Sequence, residues 1–105
     1  MSSQWIDVAP ADSVSENAPL PVEAAGEAIV IVRCGGLLYA VEDRCTHDGE
    51  SLGGAQIEDC EIVCPRHFSH FSLKSGEALT PPAYEPLRTY AVREANGRVL
   101  VEVPG

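Results

Sequence analysis

Short apolar runs separated by glycine- and asparagine-containing turns recur along this chain. The strongest is the β-branched run at residues 28–32, which is typical of a buried strand. Gly35-Gly36 then predicts a two-residue hairpin turn, with residues 37–41 as the return strand. Asn96-Gly97 predicts a second hairpin, with a type I′ turn ahead of a last strand at residues 99–103.

Weaker apolar segments extend the same pattern. Further short strands are expected at residues 5–8, 20–24, 61–63, 71–73 and 87–93. Residues 43–60 are instead rich in Asp, Glu, Gly and Ser, and they predict a long loop of the kind that usually carries function. Short strands joined by such turns predict an all-β sandwich or barrel, and a length of 105 residues predicts a single domain.

The chain is strongly acidic. Lys and Arg together number 7 and Asp and Glu number 16, which gives a formal net charge of −9. This charge argues against nucleic acid as a partner, because phosphate binding needs a basic face. It suits a partner with a basic docking surface, although solubility alone would also account for it.

The sequence does not predict a membrane-bound or secreted protein. No apolar run approaches the roughly 20 residues that span a bilayer, and residues 1–5 lack the basic and apolar regions of a secretory signal. We therefore expect a cytoplasmic location and no membrane partner. In that reducing compartment, cysteines beside histidines indicate a metal site rather than disulfides.

Two Cys-then-His pairs carry the candidate chemistry. Cys45 and His47 form a Cys-x-His pair, Cys64 and His67 form a Cys-x-x-His pair, and residues 48–63 lie between them. Thiolates and imidazoles together suit zinc or an iron–sulfur cluster. Two close pairs on two loops would form a clamp, but their spacing does not choose the metal. A structural zinc site stays open, although its first element is usually Cys-x₂₋₄-Cys.

The residues around the two pairs resemble the Rieske [2Fe–2S] family. The matching segments are CTHDGESL at residues 45–52 and CPRH at residues 64–67, followed by Phe71. Ser75-Gly76 and Pro81-Pro82 also stand where soluble Rieske ferredoxins carry such residues. The resemblance extends over nearly the whole chain.

This resemblance implies a fold, a cofactor and a set of ligands. The fold is an all-β, Rieske-like antiparallel β-sandwich in one domain over residues 1–105, with a small cluster-binding subdomain, at about residues 43–83, formed by two loops. The cofactor is one [2Fe–2S] cluster per chain, with two cysteines on one iron and two histidines on the other. The implied ligands are Cys45, Cys64, His47 and His67.

Two departures from the respiratory Rieske proteins place the chain with the ferredoxin-type members. Glu50 and Arg66 stand where respiratory members carry two further cysteines joined as a disulfide. The remaining cysteines do not take those places. Cys34, at the end of a strand, is expected to be a small buried apolar residue, and Cys60 is expected to be a free thiol.

Four residues after the second pair bear on the properties of the cluster. Phe68 stands where the family usually has Gly, and a Phe adopts positive φ only at a cost, so either this loop differs or Phe68 covers the cluster. Ser69 and Phe71 stand where respiratory members place a Ser and a Tyr that donate hydrogen bonds to sulfur. Without the Tyr hydroxyl, we expect a potential in the lower part of the Rieske range of roughly −150 to +300 mV. His70 is expected near the surface rather than on iron.

The resemblance implies an electron carrier rather than an enzyme. The chain would act as a monomer and pass single electrons from a flavin-dependent ferredoxin reductase to a terminal oxygenase, in an aromatic-ring dioxygenase system. A chain with one cluster and no second domain, mononuclear-iron site or nicotinamide motif can carry electrons but not transform a substrate. Two alternatives stay open: a structural zinc-binding module, and the small subunit of another redox complex similar to nitrite reductase.

Overall fold

The computed structural model describes residues 3–46, 49, 51–66 and 68–104. Over these residues the chain forms ten β-strands and one short 3₁₀ turn, Ala11–Ser13. The strands are β1 (Ser3–Pro10), β2 (Leu20–Ala24), β3 (Glu27–Cys34), β4 (Leu37–Glu42), β5 (Gln56–Glu58), β6 (Glu61–Val63), β7 (His70–Ser72), β8 (Thr89–Tyr90), β9 (Val92–Ala95) and β10 (Arg98–Pro104). None of the described residues forms a helix long and apolar enough to cross a membrane.

The strands form three sheets, and every pairing between them is antiparallel. The first sheet has the order β1-β10-β9, and the main sheet has the order β2-β3-β4-β8. The third, which we call the small sheet, has the order β5-β6-β7. The predicted all-β, antiparallel architecture is therefore confirmed.

β3 separates two apolar cores. Ile29 and Ile31 lie in the base core, which the main sheet shares with residues of the first sheet. Val30 and Val32 lie in the small-sheet core, which contains residues of the small sheet. Because successive side chains of a strand point to opposite faces, a strand buried on both sides needs an unbroken apolar run. This explains why residues 28–32 lack any polar alternation.

Both predicted hairpin turns form. Gly35 and Gly36 have φ of 63° and 80°, and Asn96 and Gly97 have φ of 53° and 75°. Positive φ at both central residues is the requirement of a type I′ turn, which Gly and Asn meet most easily. The turn residues therefore set these two hairpins, as the sequence predicts.

A third hairpin lies inside the segment predicted as loop. β5 and β6 pair through Ile57 and Ile62, and Asp59-Cys60 forms their turn with φ of 51° and 58°. Neither turn residue is Gly or Asn, so the usual sequence signal for a left-handed turn is absent. The prediction of a continuous loop over residues 43–60 is wrong at its C-terminal end for this reason.

Candidate metal centre

Each of the two predicted cysteine ligands follows a strand and is buried. Cys45 comes shortly after β4 of the main sheet, and Cys64 comes directly after β6 of the small sheet. Neither cysteine exposes any surface, and both lie in the small-sheet core with Leu52 and Phe71. Strands of two different sheets thus deliver two thiol groups into one apolar environment.

The two cysteine loops each begin with the same backbone hydrogen bond, from residue i+4 to the cysteine. The Gly49 amide donates to the Cys45 carbonyl oxygen at 2.8 Å, and the Phe68 amide donates to the Cys64 carbonyl oxygen at 2.9 Å. Each turn ends in the left-handed region, with φ of 77° at Gly49 and 60° at Phe68. Both turns are therefore closed by an i to i+4 hydrogen bond and a left-handed final residue.

Phe68 keeps the backbone shape that a glycine would give. A positive φ costs a non-glycine residue roughly 1–2 kcal/mol, because its Cβ approaches the backbone. The side chain is 69% exposed, and it lines a cleft of about 120 Å³ with Pro65 and Cys64. The loop is therefore not altered by the Phe, and a large apolar side chain stands mostly in solvent beside a buried cysteine.

The two predicted histidine ligands, His47 and His67, lie outside the described residues. A neighbour of the first is placed, since the Thr46 hydroxyl donates to the Glu85 carbonyl oxygen at 2.7 Å. Within the described ranges, no group of three His, Cys, Asp or Glu side chains comes together as a metal site. That result bears only on the cysteine half of the predicted ligand set.

A carboxylate holds the end of the first cysteine loop. Asp43 Oδ1 accepts hydrogen bonds from the Leu52 amide at 2.6 Å and from the Ser51 hydroxyl at 2.8 Å. The loop also packs tightly on β2, because a Cβ added to Gly53 would lie 2.9 Å from Pro21 Cγ. The loop that carries Cys45 is thereby closed onto its own beginning and held against the main sheet.

Backbone groups and a buried hydroxyl hold the second cysteine loop. The Cys64 amide donates to the Ser69 carbonyl oxygen at 2.9 Å, and the Ala83 amide donates to Ser69 Oγ at 3.3 Å. Ser69 is completely buried. Because its oxygen accepts from Ala83, its hydroxyl hydrogen remains for another acceptor. Phe71 is also completely buried and brings no donor of its own.

His70 has a carboxylate partner on the neighbouring strand. Its Nδ1 lies 2.9 Å from Glu61 Oε1, and its amide donates to Thr80 Oγ1 at 2.9 Å. The side chain is partly exposed, as expected for a residue near the surface. Both interactions keep His70 on the small sheet, beside β6.

Tyr90 lines a cleft beside Gly49 of the first cysteine loop, and its pKa is raised. Burial and the hydrogen bond that Tyr90 donates to Glu27 Oε1 at 2.6 Å raise the pKa of Tyr90 to about 12. Arg88 donates to the same carboxylate at 3.2 Å, and Gly49 lines the same cleft. Tyr90 therefore stays neutral at physiological pH, and the charges in this cleft come from groups such as Glu27 and Arg88.

Cys34 and Cys60 form a disulfide, with Cα atoms 5.7 Å apart. Cys34 is buried as expected, but the expectation that Cys60 is a free thiol, and Cys34 an unlinked one, is wrong. The two residues are 26 positions apart, and only the fold brings the end of β3 against the β5–β6 turn. The argument from a reducing compartment pointed away from disulfides, and no spacing pattern signals this one.

A family model of the Rieske [2Fe–2S] domain matches residues 4–91, a span that includes all of the predicted ligands. The chain belongs to the Rieske [2Fe–2S] family. Its cofactor is therefore a [2Fe–2S] cluster, which decides between the iron–sulfur and zinc alternatives that spacing left open. The described residues of this Rieske protein fit that cofactor, because two buried cysteines on matching turns supply thiolates from an apolar environment.

Relatives of this Rieske protein are ferredoxins of dioxygenase systems. The ferredoxin component of the naphthalene 1,2-dioxygenase/salicylate 5-hydroxylase systems of Ralstonia sp is 32% identical over 103 residues, which cover 98% of this chain and 99% of the relative. The 3-phenylpropionate/cinnamic acid dioxygenase ferredoxin subunit of Escherichia coli (strain K12) is 35% identical over 96 residues, or 90% of each chain.

Solved structures agree with this placement. The ferredoxin of carbazole 1,9a-dioxygenase from Nocardioides aromaticivorans IC177 superposes with a TM-score of 0.90 at 27% identity, over 97% of this chain and 99% of that one. A chain in the complex of reduced oxygenase and oxidized ferredoxin of carbazole 1,9a-dioxygenase gives a TM-score of 0.86 at 30% identity, over 92% and 91% of the two chains. This Rieske protein is thus an electron carrier of the ferredoxin type rather than an enzyme.

Proposed function

We propose that this Rieske protein passes single electrons from a flavin-dependent ferredoxin reductase to the terminal oxygenase of an aromatic-ring dioxygenase system. The names of its relatives support this, as does the related ferredoxin solved in complex with an oxygenase. The bound [2Fe–2S] cluster supplies one-electron chemistry. The residues of this chain bind the cluster, shield it from water and present it to partners.

In this proposal, Cys45 and Cys64 bind one iron, and His47 and His67 bind the other. The observation that carries the assignment is the matched pair of turns, each of which starts at a buried cysteine and ends at a left-handed residue. Each histidine stands in sequence between the cysteine and the left-handed residue of its turn. Each loop would thus contribute one cysteine and one histidine to the binding site.

The surroundings of the cysteines favour a potential in the lower part of the Rieske range. Two neutral imidazoles in place of thiolates raise the potential above that of all-cysteine clusters, and hydrogen-bond donors to sulfur raise it further. Phe71 offers no hydroxyl, which removes one such donor. A redox titration should give a midpoint below roughly +150 mV, and a higher midpoint would contradict the proposal.

Two exposed aromatic side chains offer a contact surface beside the second cysteine loop. Phe68 is 69% exposed and Tyr84 is 86% exposed. Phe68 precedes Ser69 and Tyr84 follows Ala83, so the Ala83–Ser69 hydrogen bond brings the two segments side by side. A small apolar contact suits a brief electron-transfer encounter, and the net charge of −9 suits an oxygenase or reductase with a basic docking surface.

The proposed protein is a cytoplasmic monomer with a single domain over residues 1–105. The two cores that share β3 support one cooperative unit rather than two. The cluster-binding part in this proposal extends over about residues 43–83, which contain both cysteine loops and the small sheet.

The test is electron transfer with a flavin-dependent ferredoxin reductase and a terminal oxygenase from the same organism. The cluster-loaded protein should be reduced by the flavin reductase and reoxidised by the oxygenase in stopped-flow measurements, and product should form only when all three proteins are present. Iron and sulfide analysis and the EPR spectrum of the reduced protein serve as the control for an intact cluster. An intact cluster that exchanges electrons with neither partner would contradict the proposed function.

A further inference from the structure

The Cys34–Cys60 disulfide lies at the end of β6 that is remote from Cys64. Cys60 immediately precedes β6 and Cys64 immediately follows it. Because a strand rises about 3.3 Å per residue, roughly 13 Å of backbone separates the two cysteines. On the main sheet, Cys34 pairs with Leu37 at the start of β4, whose other end leads to Cys45. Both β4 and β6 thus extend from the disulfide towards a predicted ligand.

The disulfide is a direct link between the small sheet and β3. In the part of the chain that the structure describes, no strand of the small sheet pairs with a strand of the other two sheets. The Cys60 carbonyl oxygen accepts a hydrogen bond from the Leu73 amide at 3.1 Å. Leu73 follows β7 of the small sheet, so this bond does not connect Cys60 to the main sheet. Cys34, like Cys45 and Cys64, belongs to the small-sheet core, and Cys60 packs against this core. Among the described residues, the Cys60 end of β6 is therefore held near the main sheet by this disulfide and by apolar packing.

We propose that Cys34 and Cys60 form a redox-dependent tether that controls how firmly the Cys64 loop holds the cluster. With the disulfide formed, β6 is fixed at both ends, by the disulfide at one and by the cluster at the other. With the disulfide reduced, the Asp59-Cys60 turn is held only by noncovalent contacts, and the Cys64 loop moves more freely. The inference rests on the proposed ligand role of Cys64 but requires neither the reductase nor the oxygenase.

A dithiol is the class of reductant that opens the tether without any other reactant. One thiolate of the dithiol attacks the Cys60 sulfur, which belongs to the more exposed half of the pair. The Cys34 sulfur leaves as a thiolate and takes up a proton. The second thiol of the reductant then attacks the mixed disulfide, releases Cys60 as a thiol and closes the disulfide of the reductant. In the cytoplasm, dithiols of this kind keep most proteins reduced, so a disulfide there commonly forms only under oxidising conditions and acts as a redox sensor.

The first measurement determines the state of the pair. The chain has 4 cysteines, and Cys45 and Cys64 lie outside the disulfide. After denaturation and removal of the cluster, alkylation without reductant should label only these two in the oxidised protein, and all four after treatment with dithiothreitol. Mass spectrometry counts the labels. Labelling of all four cysteines in protein exposed to an oxidant would overturn the proposal.

The second measurement connects the pair to the cluster. Loss of the cluster to an iron chelator, followed by visible absorbance, should be roughly fivefold or more faster after reduction of the disulfide. The double variant Cys34→Ala, Cys60→Ala should release the cluster at the fast rate with or without dithiothreitol, which controls for any action of the dithiol on the cluster itself. Equal release rates from the oxidised and reduced native protein would overturn the coupling. Where the double variant does not fold, Cys60→Ser, which also lacks the disulfide, serves as the same control, and equal release rates from the two native forms overturn the coupling in either case.

Discussion

The two cysteine loops close with the same backbone hydrogen bond but with different residues. Each starts at a buried cysteine and closes with an i to i+4 hydrogen bond, but the closing residue is Gly49 in the first loop and Phe68 in the second. Glycine adopts positive φ without a steric penalty, whereas phenylalanine does not. The second loop therefore stores backbone strain and places an exposed aromatic ring beside Cys64. Strain of this kind is retained most often where a site needs it.

The loops also differ in how they are anchored. A single carboxylate, Asp43, holds the end of the first loop through Ser51 and Leu52. The second loop depends on Ser69, which accepts hydrogen bonds from the Cys64 and Ala83 amides, and on a strand that begins at the Cys34–Cys60 disulfide. Both loops thus combine local and distant contacts, but only the first has a carboxylate anchor and only the second follows a strand that starts at the disulfide.

The largest effect is expected from removing the proposed histidine ligands, one in each loop. His47→Ala and His67→Ala should each abolish the Rieske EPR signal, because one iron would lose a ligand. His70→Ala is the matched control, since His70 is bonded to Glu61 on the small sheet, and it should leave the signal intact. EPR and iron analysis of the three variants make the comparison. Loss of the cluster in the His70 variant would show that the proposed ligand set is wrong.

The anchor of the first loop gives the next largest effect. Asp43→Ala removes an acceptor that binds two donors, so it should lower the free energy of unfolding by about 2–3 kcal/mol. Ser51→Ala removes only one of these hydrogen bonds and should cost about 1 kcal/mol. Urea denaturation measures both values. Equal losses in the two variants would mean that the Leu52 amide does not depend on Asp43.

Substitution at Gly49 isolates the backbone cost in the first loop. A Cβ at Gly49 meets no atom of the described residues within 4 Å, but φ there is 77°. Gly49→Ala should therefore lower the free energy of unfolding by about 1–2 kcal/mol from backbone strain alone. Gly54→Ala is the matched control, because a Cβ there also meets no atom and φ is not positive. A Gly54 variant as unstable as the Gly49 variant would remove backbone strain as the cause.

The smallest effect comes from relieving the strain in the second loop. Phe68→Gly and Phe68→Ala both remove the aromatic ring, but only Gly is relaxed at positive φ, so the Gly variant should be the more stable by about 1 kcal/mol. Both variants should slow electron transfer to the oxygenase without moving the midpoint potential, since the ring lies at the surface. Urea denaturation and stopped-flow kinetics measure the two effects. A Gly variant no more stable than the Ala variant would show that the turn is unstrained.

The strands and most turns could be predicted from the sequence because local rules decide them. The unbroken run in β3 follows from burial on both faces, and Gly35-Gly36 and Asn96-Gly97 meet the demands of type I′ turns. The spacing of the cysteine–histidine pairs indicated a metal, and the flanking residues indicated which one. What the sequence concealed depends on distant contacts.

Two features show how tertiary and backbone contacts override the preferences of single residues. The Asp59-Cys60 turn has left-handed residues without Gly or Asn, and it is held by a disulfide to a residue 26 positions away. Phe68 takes a conformation that its side chain disfavours, because the hydrogen bond from its amide closes the Cys64 turn. The disulfide cannot be seen in a window of neighbouring residues, so neither it nor its hairpin could be predicted. The Phe68 bond is local, but Phe is not a residue that signals a left-handed turn, so the form of the second loop could not be predicted either.

The position of β3 between two cores also sets how the molecule opens. β3 is hydrogen-bonded along both edges, to β2 and to β4, and its central side chains are buried on both faces. Its amide hydrogens should exchange with solvent only when the whole domain unfolds, whereas β5 and β7, with three residues each at the edges of the small sheet, should exchange through local opening. The small sheet that carries Cys64 should thus open more readily than β3, against which its core packs.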